Sequence, residues 1–148
     1  MNIEISVDTS RFDRRMADFP AKIASAQKRA LMAIGQAVAS RATLAFRSSV
    51  YRPSPWAPRK KPGDGHPLLI RSGHLRQSIS WKLEGDDAVV VGTSQEYAKY
   101  HQHGTKKMPA RPFLPVDKSG QLTPDCMREI KEEVEDIYMK ELRKIGFQ

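Results

Sequence analysis

Cysteine, long apolar runs and aromatic residues are all scarce in this chain of 148 residues. The one cysteine, Cys126, excludes an internal disulfide and every zinc module that needs several cysteines. No apolar run approaches the roughly 18 residues of a membrane span, and the first residues have neither the basic start nor the apolar stretch of a signal peptide. We therefore expect a cytoplasmic protein without membrane contact. Its stability should come from packing or from partner subunits, with a modest core because only 7% of the residues are aromatic.

Basic residues outnumber acidic ones by 25 to 17, and the two signs are separated along the chain. Residues 22–50 and 98–111 contain bases and no acid, and residues 51–76 contain six bases and one acid. Acids prevail in residues 77–97 and 125–145. The folded protein should therefore have one positive and one negative face. Such polarity suits nucleic acid, whose phosphates attract Lys and Arg, or a second copy of the chain bound head to tail.

The N-terminal third predicts one strand and two helices. Residues 3–7 alternate apolar and polar side chains, as in a strand half buried on one face. Ser10 can cap a short helix, and Pro20 can start a long Ala-rich amphipathic helix that runs to about Ser48. That helix would span about 40 Å at 1.5 Å per residue. Its stripe of small residues can pack on the chain's own core or on a neighbouring subunit.

A proline-rich basic loop follows the long helix. Five prolines fall within residues 51–67, together with Arg59, Lys60 and Lys61. Because prolines remove backbone donors and favour extended chain, neither helix nor sheet can form there, and we expect a flexible loop that orders on assembly. The aromatic ring of Trp56 can stack on a nucleobase, enter a pocket of a neighbouring subunit or fold back onto its own core.

The second half of the chain begins with an antiparallel hairpin. Side chains alternate from Leu75 to Glu84, Gly85 opens a turn, and an apolar return begins at Ala88. Since helices and strands are segregated along the chain, the predicted fold class is α+β. We expect one domain over residues 1–148, with a small antiparallel sheet built on this hairpin and packed by the long N-terminal helix and a C-terminal helix.

Three further elements are predicted after the hairpin. Ser94 can cap a short helix that stops at Gly104, a residue that readily takes the left-handed conformation at a helix end. Residues 110–116 contain too many prolines for a central strand and should form an edge strand or an extended strap. The pair Thr123-Pro124 is typical of a helix start, and the apolar periodicity continues to residue 145.

No residue set on this frame predicts catalysis. His101 and His103 are separated by one residue, which points them about 200° apart on a helix, so a shared metal would need distorted backbone. Ser72 lacks the setting of a nucleophile elbow. Cys126 has no evident base, although the positive start of its helix favours a lowered pKa. The residues therefore indicate a binding or assembly module with no cofactor and no metal, rather than an enzyme.

Four short motifs follow one another between residues 50 and 115: Trp56-Ala57-Pro58; Leu68-Leu69-Ile70-Arg71-Ser72-Gly73-His74-Leu75-Arg76-Gln77-Ser78-Ile79; Val91-Gly92-Thr93 through Glu96-Tyr97-Ala98-Lys99-Tyr100-His101-Gln102-His103-Gly104-Thr105; and Pro109-Ala110-Arg111-Pro112-Phe113-Leu114. In this order and spacing the set resembles the tailed-phage virion morphogenesis family, the tail-completion and neck proteins that join a tail to a head. The resemblance implies a structural, non-enzymatic protein of the virion. It also implies a ring of identical subunits at the head-proximal end of the tail or in the head-tail connector. The positive charge of the chain suits a surface that lines a channel through which DNA passes.

The candidates for assembly contacts are basic and aromatic residues of the loop and the motifs: Trp56, Arg59, Lys60, Lys61, Arg71, Arg76, Tyr97, His101, His103, Arg111 and Phe113. Pro112 should hold Arg111 in extended backbone, where its guanidinium suits a fixed salt bridge or backbone hydrogen bonds. Expected partners are further copies of the chain and other tail or head-connector proteins, with weak, sequence-independent contact to DNA. Assembly would begin in the host cytoplasm and end in the virion.

The alternative function is a small basic nucleic-acid-binding or regulatory protein. The chain has the positive charge for it but neither the spacing of a helix-turn-helix nor an aromatic RNA-binding motif.

Overall fold

The computed structural model describes residues 1–8, 20–61, 63 and 65–144. The elements run β1 (Asn2–Ser6), α1 (Pro20–Ala45), a 3-10 turn (Ser49–Tyr51), α2 (His74–Gln77), β2 (Ile79–Glu84), β3 (Ala88–Thr93), α3 (Ala98–His103) and α4 (Pro124–Lys144). The short helix predicted after Ser10 lies outside the described residues. Within the described part of the chain, no helix combines the length and the apolar character needed to span a membrane.

The sheet is antiparallel with the strand order β1-β3-β2. In its central rows Val91 pairs with Ile3 on one side and with Trp81 on the other. These side chains belong to the face that packs on the helices, whereas the opposite face presents polar residues such as Glu4 and Lys82. Because alternation sets which face is buried, the alternating residues of β1 and β2 place their apolar side chains on the packed face, as expected. The α+β class and the β2–β3 hairpin are confirmed.

Helix α1 packs on the sheet and on α4 of its own chain. Leu31, Ile34 and Val38 are buried against the sheet strands. A Cβ built on Gly35 would lie 2.7 Å from the ring of Trp81, so glycine lets the helix approach β2 closely. Between the helices, the Arg41 guanidinium forms an ion pair of 2.8 Å with a carboxylate of α4. The intrachain alternative for this helix is therefore the one observed.

Two predicted boundaries are wrong. Helix α1 ends at Ala45, where its carbonyl accepts a 2.8 Å hydrogen bond from Arg52 Nε, and does not reach Ser48. The strand predicted from Leu75 starts only at Ile79. Residues 74–77 form the short helix α2 instead, because the left-handed Gly73 turns the chain just before it. In this helical turn, the side chain of Leu75 is still buried. The pattern therefore identified a buried residue correctly, but its spacing was wrongly interpreted as that of a strand.

The C-terminal third wraps the core with an extended strap and a helix. Phe113 and Leu114 are fully buried, and Val116 forms an isolated bridge with Leu122 before α4 starts at Pro124. Along α4, Ile130 is among the apolar residues that face α1 and the sheet. The predicted strap and helix start are confirmed, and the predicted helix end at residue 145 lies outside the described residues.

Candidate assembly site

Three segments that carry the sequence motifs meet at one end of the sheet. They are the loop after α1, helix α3 and the strap before α4. Trp56 Nε1 donates a 2.7 Å hydrogen bond to the carbonyl of Pro112, which joins the loop to the strap. Arg111 strengthens the same joint, since its Nε donates to the Ala57 carbonyl at 2.9 Å and its terminal nitrogen to the Pro58 carbonyl at 3.1 Å. The guanidinium therefore makes the backbone hydrogen bonds expected for it.

Gln102 on α3 fastens the strap from the other side. Its Oε1 accepts hydrogen bonds from the backbone amides of Phe113 and Leu114, both at 3.0 Å, and its Nε2 donates to the Leu114 carbonyl at 3.4 Å. The side chain is 6% exposed and takes the place that a neighbouring strand would have. Sequence reasoning missed this residue. The available signal was its position four residues after the buried Ala98, on the same face of the helix.

Helix α3 itself is shorter than predicted. It begins at Ala98, and Ser94 does not cap it. Gly104 ends it with a φ of 73° and a ψ of 177°, which is an extended conformation open to glycine and not the expected left-handed helical one. The backbone amide of Arg111 donates to the carbonyl of His101 at 2.6 Å, so the strap also contacts the main chain of the helix.

Trp56 lies in the core of its own chain. Its side chain is 8% exposed and meets Phe46 edge to face, with ring centroids 5.9 Å apart, and the Arg52 guanidinium lies 3.9 Å over the ring. Of the three alternatives for this ring, the folded chain adopts the third. Trp56, Arg111 and Phe113 all make contacts within the chain, and their contribution to assembly stays a prediction.

The remaining candidates are accessible. Lys60 and Lys61 are exposed in the loop, Arg76 is half-buried on α2, and His103 is exposed at the end of α3. None of these four lines the pocket between the loop and α3 that is described next. The flexibility of residues 51–67 in the free protein stays a prediction.

A pocket of about 260 Å³ lies between the loop and α3. We call it the basic pocket and define it by Arg59, Leu69, Arg71, Ser72, Tyr97 and His101. Leu69 has a φ of 62°, which costs a residue with a Cβ about 1–3 kcal/mol. A residue keeps such a strained conformation only where the surrounding structure imposes it. The strained Leu69 in the pocket wall is a second feature that sequence reasoning missed.

His101 lines this pocket in its neutral form at pH 7. Burial, and then the nearby charge of Arg111, lower the pKa of the imidazole below its ordinary value. Its Nδ1 is buried and has no hydrogen-bond partner in the described part of the chain, and the ring lies edge-on to Tyr97 with centroids 5.8 Å apart. His103 is exposed, unlike His101. Among the described residues, no three His, Cys, Asp or Glu side chains are grouped to hold a metal ion.

Cys126 is buried between α4 and the core, with its side chain 2% exposed. Burial raises the pKa of the thiol to about 11, although the nearby Arg41 opposes the shift. The expectation that the helix start lowers this pKa is therefore wrong, because desolvation of the thiolate outweighs the dipole. Cys126 packs as a small apolar residue.

We predict that Cys126 in the folded protein resists alkylation. At pH 8 a thiol of pKa about 11 holds about 100-fold less thiolate than one at its ordinary value of 9.0. Iodoacetamide labelling followed by mass spectrometry should therefore be slower by at least that factor in buffer than in 6 M guanidinium. Equal rates in the two solvents would show that the thiol is accessible in the folded state.

Comparison with known proteins agrees with the motif resemblance. The model of the phage virion morphogenesis family matches residues 7–143. A curated protein of Haemophilus influenzae, the Mu-like prophage FluMu G protein 1, is 46% identical over 57 residues. That alignment spans 38% of this chain and 38% of the relative. No solved structure matches the chain significantly.

Proposed function

We propose that this chain, which belongs to the phage virion morphogenesis family, is a structural subunit that completes the tail or joins it to the head. Family membership gives the coarser role, a part in phage virion morphogenesis. The finer role includes assembly into a ring of identical subunits around the DNA channel. The similarity to a Mu-like prophage protein also favours a phage or prophage context.

One observation carries the structural role. Three polar side chains of the motifs, those of Gln102, Arg111 and Trp56, form their hydrogen bonds with the protein's own backbone. A catalytic group needs atoms within hydrogen-bond reach of a substrate. These three side chains instead hold a loop and a strap in one fixed shape. A subunit that is repeated many times needs such a fixed surface, because every copy makes the same contacts. We therefore expect no hydrolase, nuclease or transferase activity in the purified protein.

The positive charge is expected to contribute to DNA contact only weakly. If DNA passes along the basic residues of a channel, binding should be indifferent to sequence and should fall steeply as salt rises. Tight binding that persists at physiological salt and discriminates between sequences would instead favour the small basic nucleic-acid-binding protein.

A null allele in the encoding phage or prophage tests the proposed function. We expect infectious yield to fall by at least 1,000-fold, with DNA-filled heads and separate tails visible by electron microscopy of lysates. A plasmid copy of the wild-type gene should restore joined particles. Normal particles at normal yield from the null allele would contradict the proposal. Altered transcription together with normal particles would point to the regulatory alternative.

A further inference from the structure

The basic pocket holds two guanidinium groups that have no carboxylate partner among the residues that the structure describes. Neither Arg59 nor Arg71 forms an ion pair within the described part of the chain. Arg59 donates to the carbonyl of Pro67, at 3.1 Å. Tyr97, 40% exposed, stands in the wall beside them. Arg and Tyr are the side chains that most often dominate protein interfaces, so this pocket has the composition of a docking site for an acidic group.

The turn between β2 and β3 carries the opposite charge. Glu84, Asp86 and Asp87 are exposed, and none of their carboxylates has an ion-pair partner among the described residues. We call these three residues the acidic tip. Its backbone is fixed: Gln27 Nε2 donates to the Asp86 carbonyl at 3.0 Å, and the amide of Val7 donates to the Asp87 carbonyl at 3.3 Å. The tip therefore presents three carboxylates on a held turn.

The pocket and the tip lie at opposite ends of the sheet. Strand β2 begins at Ile79, next to the helix whose Leu75 lines the pocket, and ends at Glu84 in the tip. Strand β3 returns from the tip to Thr93, shortly before Tyr97. Six residues per strand separate the two sites by about 17–20 Å. One chain cannot bring its own tip into its own pocket.

We propose that the acidic tip of one copy docks in the basic pocket of the next. Charge complementarity selects this occupant, since each site supplies what the other lacks. Because the two sites are different surfaces of the same chain, the contact is heterologous, and its repetition closes a ring or extends a filament. The inference rests on the proposed function, for which it supplies the contact between subunits.

The test is a charge exchange measured in purified protein. The pocket variant carries Arg59→Glu and Arg71→Glu, and the tip variant carries Asp86→Lys and Asp87→Lys. Each variant alone brings like charges together, so its self-association should weaken about 100-fold or more, measured by sedimentation across concentration. An equimolar mixture should associate again, because the acidic pocket of one variant accepts the basic tip of the other. A chain with all four changes should self-associate like wild type.

Two controls separate this contact from net charge and from folding. Lys106→Glu with Lys107→Glu changes the charge as much as the pocket variant does, and Glu132→Lys with Glu133→Lys matches the tip variant. All four control residues are exposed and lie outside the pocket and the tip. We expect both controls to associate like wild type. Arg71→Glu alone breaks no hydrogen bond or ion pair among the described residues and should give a partial loss, so misfolding cannot account for the whole effect.

Several results would overturn the docking proposal. It fails if the single variants associate like wild type, or if neither the mixture nor the four-change chain recovers. The proposal also fails if the wild-type chain stays monomeric and a variant with Ser72→Cys and Asp87→Cys forms no cross-link between subunits. If the pocket variant loses DNA affinity and keeps its self-association, the pocket binds phosphate instead. Any of these results leaves the proposed function standing, because the null-allele test does not depend on this contact.

Discussion

Replacing Trp56 by alanine is expected to lower the free energy of unfolding by about 3–5 kcal/mol. The indole fills the space beside Phe46, supports the stacked guanidinium of Arg52 and donates to the carbonyl of Pro112. Alanine removes all three interactions and leaves a cavity where the loop meets the strap. Urea denaturation followed by circular dichroism measures the loss, with the midpoint moving while the slope stays constant.

Two companion variants show which part of the loss comes from the ring. Trp56→Phe keeps an aromatic ring but not the N–H, so we expect a smaller cost, of which about 1 kcal/mol comes from the hydrogen bond to Pro112. Tyr100→Ala removes an aromatic side chain that is 47% exposed and should change stability by about 0.5 kcal/mol or less. If Trp56→Ala unfolds like wild type and only loses self-association, the ring is available to a neighbouring subunit after all.

Patterns of short range predicted most of the elements correctly. The alternation of residues 3–7, the turn at Gly85 and the start of α4 at Pro124 are all local signals, and the structure has β1, the hairpin and the helix there. Local signals were less reliable where two periods fit the same residues. Leu75 and Gln77 alternate as in a strand, yet the left-handed Gly73 starts a helical turn that buries Leu75 equally well.

The candidate site was predictable only in part because its contacts cross long stretches of chain. The guanidinium of Arg111 was expected to bond backbone, but its acceptors, the carbonyls of Ala57 and Pro58, lie more than 50 residues away. Trp56 could not be assigned to a core before the position of Phe113 was known. Arg59, Arg71 and Tyr97 line one pocket because α3 packs beside the loop. No periodicity in the sequence predicts that these three residues lie together.

Replacing Gln102 by methionine is expected to cost about 3 kcal/mol or more. Methionine has nearly the same volume and helix propensity, so the substitution removes the hydrogen bonds and leaves the packing. The amides of Phe113 and Leu114 then stay buried without an acceptor, and each such group costs about 1–3 kcal/mol. The Leu114 carbonyl also loses its contact with Nε2. Thermal and urea unfolding measure the change.

Gln77→Met is the matched control, because Gln77 is exposed at the end of α2 and the same substitution there should shift stability by about 0.5 kcal/mol or less. Amide hydrogen exchange then locates the effect of the Gln102 variant. The amides of Phe113 and Leu114 should exchange faster than the change in global stability explains. The exchange rates of the β3 amides should change only as much as the global stability does. If the Gln102 variant is as stable as the Gln77 variant and both strap amides stay protected, the strap is held by the packing of Phe113 and Leu114 alone. The hydrogen bonds of Gln102 would then contribute no net stability.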